Sequence, residues 1–519
     1  MLRFLVAHVF LVLVSVESFS QVLNKTIPFN IGTSYLEPDG RDLSLKLNND
    51  EFITLAKAKG GVMGTSSYVL EKFTKDFKSV FKVTLTAELE EDFFKITFHE
   101  NTLRLFSTIH DSRTLTSKCK IYDYAILDGK LIRDKIIAER SIGAWSPAMG
   151  KAVVEEDFTT AIASCQPRSF VTPLEYIYQV RFSPDQKKFI LYIFDYSQKY
   201  LIANATIFDQ ELNVLSKGMV PVDNNFINYG IYINNKAEQF ILNVDRGGRI
   251  ALIKYNMETK DNVFLDISSS SAKRYGFKVK FLNDDEVYVF NLASRSEAFA
   301  GIMYSKFNFK EKLVAKLNYH ELSEGMIQTS TALRHSNSDF QATDDWLNYV
   351  ISDVYLNTYE KIIIVLEKQY IESAAFHYQS STVSNADNWY EKSGRVITGP
   401  LILFSFNKDD VLLWETYSLK EQSNDISAGI LSASYAMNIT DAGKIQMVYA
   451  SGSKGLYNEI NYMEFEEASG SRIKNIKINN IEGLSVLKDY TVWFDDSFIV
   501  GARKGLFGNK SFLVRYNFQ

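Results

Sequence analysis

The sequence predicts an all-β fold, a single β-propeller built from four-stranded blades. Runs of β-branched and aromatic residues alternate with short polar turns along most of the 519 residues, a pattern typical of antiparallel strands. Aromatic residues make up 14% of the chain, which favours packed sheet. One unit also recurs: an apolar strand ending in an aromatic residue, a short polar turn and an amphipathic strand. Repetition of one sheet unit around a centre is characteristic of a propeller.

The clearest copy of the repeat lies between Tyr176 and Val222. It divides into the strands YIYQVRF, KFILYIFDYS, YLIANATIF and VLSKGMV. The same pattern, applied to the whole chain, predicts eight blades; seven is the alternative, because the strand around 484–493 matches the pattern least well. The predicted blades are residues 42–85, 92–138, 176–222, 226–267, 276–319, 349–419, 429–480 and 484–518.

The two ends of the chain complement each other. The eighth copy of the repeat stops without a fourth strand, whereas residues 22–29 read as a strand with no blade before it. Pairing these two parts closes the ring and removes two open sheet edges. We therefore expect the N-terminal strand to be the outermost strand of the last blade.

Three long insertions interrupt the regular turns, at residues 140–173, 320–348 and 371–400. In a four-stranded blade, the loops after the second and fourth strands lie on one face, opposite the turns after the first and third strands. All three insertions should therefore share one face, as expected for a functional rim on a rigid scaffold.

Each insertion carries one tryptophan, and the third also places other polar and aromatic residues close to it. An exposed indole can stack on a sugar ring or anchor a protein contact. The alternative is that each tryptophan fixes its own loop to the propeller. The candidate ligand-binding residues are Trp145, Trp346, Trp389, Tyr390, Glu391 and Arg395.

The insertions also contain side chains of the types used in catalysis and in metal binding. Paired carboxylates across a sugar-binding cleft carry out glycosidase chemistry, although acidic residues in polar loops are more often solvated surface. Three histidines lack the fixed spacing of known metal motifs, so the sequence predicts no metal and no cofactor. No nucleophile motif is present, which leaves the catalytic residues unknown and favours a non-enzymatic role. The carboxylates are Glu155, Glu156, Asp157, Asp339, Asp344, Asp345, Asp387 and Glu391, and the histidines are His320, His335 and His377.

The first 20 residues are typical of a secretory signal peptide, with Arg3 before an apolar run and Ser18 and Ser20 before Gln21. We therefore expect residues 21–519 to be exported to the periplasm or beyond. The apolar run is too short to span a bilayer, and a net charge of −5 gives no basic footprint for nucleic acid. In an exported protein Cys119 and Cys165 can form a disulfide; two unpaired buried thiols are the alternative.

Two segments resemble known families. The turn Phe182–Lys188, FSPDQKK, resembles the FSPDGK repeat of TolB-like and WD40-like propellers, with Gln186 in the place of glycine. Residues Leu401–Gln422 are similar to a segment of uncharacterised exported propeller-type proteins of Gram-negative bacteria. These resemblances imply export and a propeller fold, and they assign no catalytic residue.

The expected function is a non-catalytic binding or scaffolding module that engages a protein or glycan partner of the cell envelope. The alternative is a glycan-active hydrolase or lyase whose site lies on the same insertion-bearing face. A fold of this kind leaves function to its loops and cannot decide between the two.

Overall fold

The computed structural model describes the strands and most of the short turns of the chain. The described residues are 25–29, 44–57, 67–88, 91–111, 114, 116–141, 178–195, 202–221, 226–245, 249–267, 273–295, 298–322, 349–373, 394–420, 422–425, 435–453, 456–480, 483–504 and 511–518. They form 33 strands. Within these residues, no helix has the length and apolar character needed to cross a bilayer.

The strands form eight four-stranded antiparallel blades, as predicted. The first blade consists of β2 (Ser44–Lys46), β3 (Glu51–Lys57), β4 (Ser67–Thr74) and β5 (Ser79–Thr86), and the second of β6 (Glu91–His99), β7 (Thr102–Asp111), β8 (Thr116–Ala125) and β9 (Leu131–Ser141). The third blade consists of β10 (Gln179–Phe182), β11 (Lys188–Asp195), β12 (Ile202–Asp209) and β13 (Val214–Pro221), and the fourth of β14 (Phe226–Ile233), β15 (Gln239–Asp245), β16 (Ile250–Tyr255) and β17 (Asn262–Ile267). The fifth and sixth blades consist of β18 (Lys273–Phe281), β19 (Glu286–Arg295), β20 (Ala298–Asn308) and β21 (Leu313–Glu321), and of β22 (Tyr349–Leu356), β23 (Ile362–Ser373), β24 (Gly394–Phe406) and β25 (Leu412–Ser418).

The last two blades and one extra strand complete the ring. The seventh blade consists of β27 (Ala436–Ile439), β28 (Lys444–Ser453), β29 (Leu456–Glu466) and β30 (Arg472–Asn479), and the eighth of β31 (Leu484–Trp493), β32 (Ser497–Lys504), β33 (Ser511–Asn517) and β1 (Lys25–Phe29). First strands of neighbouring blades contact one another, for example β18 with β22 and β31 with β2. The first strands therefore surround the central channel of the propeller.

The ring closes through the N-terminal strand, as predicted. β1 pairs antiparallel with β33 from Lys25 opposite Arg515 to Phe29 opposite Ser511. The order of this sheet is β1-β33-β32-β31, so β1 is the outermost strand of the eighth blade. The weakest of the predicted strands, around 484–493, is present as β31, which settles the count at eight rather than seven.

The hydrophobic core lies within and between the blades. The aromatic residue that ends the third strand stacks on an aromatic residue of the second strand: Phe208 lies 5.2 Å from Phe189, and Tyr516 lies 5.1 Å from Phe498, between ring centroids. Phe189 also meets Phe106 of the preceding blade edge-to-face at 5.4 Å. This packing explains why the sequence repeats an aromatic residue at the end of the third strand.

Ion pairs with a largely buried cation link neighbouring blades on the face of the short turns. In the fifth blade Lys306, directly before the third-strand aromatic, contacts Glu286 of its own blade at 2.8 Å and Glu360 of the next blade at 3.2 Å. Because each cation has an acceptor on both sides of the blade boundary, it fixes the rotation of one blade against the next. The same arrangement recurs as Lys254 with Glu238 and Asp285, and as Arg515 with Asp496 and Asp76.

The turn that resembles the FSPDGK repeat has the backbone that the glycine of that repeat would favour. Gln186 has a φ of +57°, a left-handed conformation that costs a non-glycine residue about 1–2 kcal/mol. The Gln186 side chain donates a hydrogen bond to the backbone oxygen of Ser183 at 3.1 Å, and the Ser183 hydroxyl donates to Asp185 at 2.6 Å. The turn is therefore retained with a different residue at its tightest position.

Strand directions place the ends of the three insertions on one face. β9, β21 and β23 end, and β10, β22 and β24 begin, on the face opposite the turns between first and second strands. The third insertion is bounded by a longer ladder than the sequence indicated, because β23 and β24 remain paired as far as Ser373 opposite Gly394.

Deletion of residues 25–29 should destabilise the ring, because β33 would be left with an unpaired edge. We expect the free energy of unfolding to fall by clearly more than the ~0.5 kcal/mol of an ordinary surface change. Urea unfolding followed by circular dichroism measures the difference. Deletion of residues 21–24, which keeps β1, controls for shortening the chain; equal stability of the two variants would contradict the closure.

Candidate functional site

Most of the predicted ligand-binding residues lie outside the described part of the chain. These are Trp145, Trp346, Trp389, Tyr390 and Glu391, together with the clustered carboxylates of the insertions, His335 and His377. Residues 1–20, which the sequence predicts to be a signal peptide, also lie outside it. Arg395 is described along its backbone: it pairs with Glu372 of β23 and Asp425 of β26 (Gln422–Asp425), so it belongs to a strand rather than to a loop.

His320 lies on the outermost strand of the fifth blade, not on the second insertion. Its ring packs edge-to-face against Phe404 at 5.7 Å and Phe406 at 5.4 Å between centroids, with Nε2 3.8 Å from Glu415. Burial lowers the pKa of His320 despite the nearby carboxylate. His320 is therefore uncharged at neutral pH and packs against the two phenylalanine rings. The described residues contain no group of three metal-ligating side chains.

Cys119 is buried between the second and third blades, next to Phe106 and Ile121. Burial raises the pKa of the Cys119 thiol, which makes it a weak nucleophile. Cys165 lies outside the described residues, so their pairing stays a prediction.

A cluster of charged side chains occupies the centre of the ring. Asp353 of β22 accepts a hydrogen bond on Oδ2 from the Tyr435 hydroxyl at 2.6 Å and another from Lys488 Nζ of β31 at 3.2 Å. Lys488 also lies over the Tyr435 ring, 5.2 Å from its centroid. Ser352 hydrogen-bonds to the same hydroxyl. Residues from the sixth, seventh and eighth blades therefore meet at one carboxylate oxygen.

The environment fixes the charge state of this cluster. Burial alone would raise the pKa of Asp353, but Lys488, the Tyr435 hydroxyl and Lys278 outweigh it and hold that pKa below its ordinary value. Burial, with the neighbouring Asp353 and Glu367, raises the pKa of Tyr435 well above its ordinary value. Asp353 is therefore an anion at neutral pH and Tyr435 a neutral hydrogen-bond donor.

Irregular pairing in the first strands brings these side chains together. In β31 the four residues 488–491 stand opposite the single residue Val500, which projects Lys488 out of the ladder. Gly501 makes room for this bulge, because a Cβ atom there would lie 2.4 Å from the Cβ of Tyr490. In β22 a one-residue bulge at Ser352 precedes Asp353. Bulges of this kind re-aim side chains.

Two further lysines come from β18 of the fifth blade. Phe277, Val279 and Phe281 pack on the core shared with the fourth blade, so the alternating Lys278 and Lys280 lie on the opposite side of the strand. Lys280 is solvent-exposed. Desolvation nevertheless lowers its pKa, Lys278 adds to the decrease, and Asp353 opposes it. Lys280 is thus both accessible and largely surrounded by protein, as expected for a side chain that lines a channel.

A second polar cluster lies at the base of the third insertion. Neither Lys420 nor Glu367 exposes any side-chain area, and the two form an ion pair. Lys420 Nζ also hydrogen-bonds to Thr398 Oγ1 at 2.6 Å, which in turn donates to Gln422 Oε1 at 3.1 Å. Desolvation lowers the pKa of Lys420 against the opposing effect of Glu367.

The strand β26 passes through this second cluster and joins the sixth and seventh blades. It pairs antiparallel with β24 at Arg395–Thr398 and parallel with β28 at Gln422 opposite Gly452. The two blades thereby share one nine-stranded sheet. The base of the third insertion is therefore held by hydrogen bonds from both blades.

Sequence analysis missed both clusters because it concentrated on the insertions. A signal for the channel lysines was present in FKVKF (Phe277–Phe281), where lysine alternates with apolar residues on a first strand. Because the apolar residues of this segment pack on the core shared with the fourth blade, the two lysines lie on the other side of the strand. The ion pair of Lys420 and Glu367 had no comparable signal, since the two residues are 53 positions apart.

Comparisons with known proteins assign no family to this chain. No protein-family model and no curated protein matches this chain. Among solved structures, a prolyl endopeptidase aligns over 88% of this chain and 54% of its own, with 8% identity and a TM-score of 0.41. Sqt1 of Saccharomyces cerevisiae aligns over 92% and 98% (8% identity, TM-score 0.41), and the propeller domain of the trilobed protease from Pyrococcus furiosus over 82% and 95% (8% identity, TM-score 0.33). This chain spans about half the length of the prolyl endopeptidase.

Replacement of Lys420 by methionine should cost roughly 3–5 kcal/mol of unfolding free energy, because it leaves the Glu367 carboxylate buried without its cation. The double variant Lys420→Met with Glu367→Leu should lose much less, since no buried charge remains. Urea unfolding of the wild type, the two single variants and the double variant measures the coupling. A single variant no less stable than the double variant would show that the pair is not desolvated.

Replacement of Asp353 by asparagine should give a pH-dependent loss of stability. Because the pKa of Asp353 is lowered in the folded state, its stabilisation is fully present above the unfolded value of about 4 and is lost as the pH falls through the folded value. The wild type should therefore exceed Asp353→Asn in unfolding free energy at pH 7, and the difference should shrink below about pH 4. Asp441→Asn, in an exposed turn, is the control; a difference that does not change with pH would refute the assignment.

Proposed function

We propose that this protein is an exported propeller whose insertion-bearing face binds a protein or glycan partner of the cell envelope without chemical turnover. The observation that carries this proposal is the construction of the sixth blade. β23 and β24 stay paired as far as Ser373 and Gly394, and β26 braces β24 against the seventh blade. The insertion that contains Trp389 and Tyr390 thus leaves and re-enters a fixed base.

A fixed base favours binding because less conformational entropy is lost when a partner is engaged. Buried ion pairs such as that of Lys420 and Glu367 are often less stabilising than apolar residues of similar volume. A role in holding β26 against β24 would account for such a pair at this position. On this interpretation, the buried ion pair holds the base of the insertion in place and does not maximise the stability of the fold.

The residues of the third insertion suit a glycan or a protein surface. Trp389 and Tyr390 offer large aromatic area with few rotatable bonds, while Glu391 and Arg395 supply charged hydrogen-bonding groups. Trp145 and Trp346 belong to insertions whose flanking strands end on the same face. A partner that spans this face could contact all three insertions.

Export is part of the proposal. It is supported by the character of residues 1–20 and by the resemblance of Leu401–Gln422 to exported propellers of Gram-negative bacteria. The chain would act in the periplasm or outside the cell, without membrane insertion and without a nucleic-acid partner. The net charge of −5 agrees with the last point.

Tryptophan fluorescence titrated with a panel of envelope glycans tests the glycan form of the proposal. Saturable quenching that is lost in Trp389→Ala, with no new reducing ends or unsaturated products in the same samples, is the expected result. Trp493→Phe is the matched control, since Trp493 ends β31 and packs on Phe498 at 5.2 Å; it should keep the quenching. Product formation would overturn the non-catalytic role in favour of a hydrolase or lyase. If no glycan binds, the partner is a protein, which crosslinking from the position of Trp389 would identify.

A further inference from the structure

The described side chains of the first strands carry an excess of positive charge. Lys95 lies over Phe182 and Arg181 over Tyr232, each cation reaching the first strand of the next blade. Further along the ring the cations are Lys278, Lys280 and Lys488. The described acidic side chains on the first strands are Glu91 and Asp353, so cations outnumber anions among the described residues there, although the chain as a whole has a net charge of −5. A channel with walls of one sign concentrates ions of the other sign.

Three of these cations converge on one region. Lys278 and Lys280 are two positions apart on one side of β18, and β18 contacts β22, which carries Asp353. Lys488 from the eighth blade lies 3.2 Å from Asp353, and both Lys278 and Lys488 lower the pKa of Asp353. The seventh blade lies between the sixth and the eighth and contributes Tyr435 to the same carboxylate. Charges from blades that are three positions apart therefore meet in the channel rather than in a single blade interface.

The carboxylate in this region is already engaged. Asp353 Oδ2 accepts from both Tyr435 and Lys488. Lys280 makes no hydrogen bond and no ion pair with any described residue, and it lies near the like charge of Lys278. An anion between these lysines would relieve their repulsion and replace the water that the protein excludes.

We propose that Lys278, Lys280 and Lys488 form a binding site in the central channel for the carboxylate or phosphate group of a small ligand. The ammonium groups of the three lysines donate hydrogen bonds to the oxygens of the anion, which competes with Asp353 for Lys488. The site lies among the first strands and does not depend on the insertion-bearing face. This proposal can therefore be tested independently of the binding role of Trp389.

Binding at this site should be linked to proton uptake. The charged groups that act on Lys280 are Lys278 on its own strand and Asp353 on β22. Desolvation and Lys278 favour the neutral form of Lys280 in the free protein, whereas a bound anion favours the ammonium form. Affinity should therefore rise as the pH falls through the free-state pKa of Lys280.

Isothermal titration of the whole chain with phosphate, acetate and glucuronate, at constant ionic strength set with sodium chloride, tests the site. We expect saturable binding of at least one anion, with proton uptake revealed by buffers of different ionisation enthalpy. Lys280→Gln should weaken binding about tenfold, the equivalent of one charge-assisted hydrogen bond. Lys217→Gln, an equal charge change on the exposed outermost strand of the third blade, should leave binding unchanged.

Asp353→Asn supplies a test in the opposite direction, because loss of the competing carboxylate should tighten anion binding. Thermal unfolding with and without each anion confirms that the variants are folded and repeats the ranking, since a ligand stabilises the state that binds it. Preference for glucuronate or acetate identifies a carboxylate ligand, and preference for phosphate identifies a phosphate ligand. No saturable binding above the chloride control, or equal binding by Lys280→Gln, would overturn the proposal.

Discussion

The pairing of β1 with β33 is the constraint on which the rest of the molecule depends. Each blade buries its apolar surface only against its neighbours, so an open ring would expose one face of the first blade and one of the last. Closure joins the two ends of the chain in one sheet, from Lys25 opposite Arg515 to Phe29 opposite Ser511. The ion pairs at the blade boundaries then continue around the ring, including that of Arg515 with Asp76 of the first blade.

A closed ring converts local irregularities into a shared site. The bulge in β31 would only disturb one sheet if the eighth blade stood alone. Within the ring it directs Lys488 to Asp353, two blades away. The close approach of Gly501 to Tyr490 is the local condition for that bulge. Charge in the channel is therefore a property of the assembled ring rather than of any blade.

The two polar clusters differ in how far they are exposed to solvent. Asp353 and Lys488 lie on first strands with partly exposed side chains, and Lys280 of β18 is exposed. Lys420 and Glu367 are fully buried, at the junction where β26 links the sixth and seventh blades. In the proposed site the first arrangement presents its lysines to an anion. The second arrangement uses its charges internally to hold the base of an insertion.

The sequence by itself determined the repeat, the count of blades and the strand that closes them, because aromatic residues at strand ends and polar turns are local features that each blade needs for its own packing. Even the turn with Gln186 followed the expected backbone, with a φ of +57°. The tertiary structure alone decided that His320 packs against Phe404, that Arg395 lies in a strand, and that Lys488 meets Asp353. These outcomes depend on bulges, on register and on ring closure, which bring together residues far apart in the chain. Side-chain periodicity within one strand carries no information about such contacts.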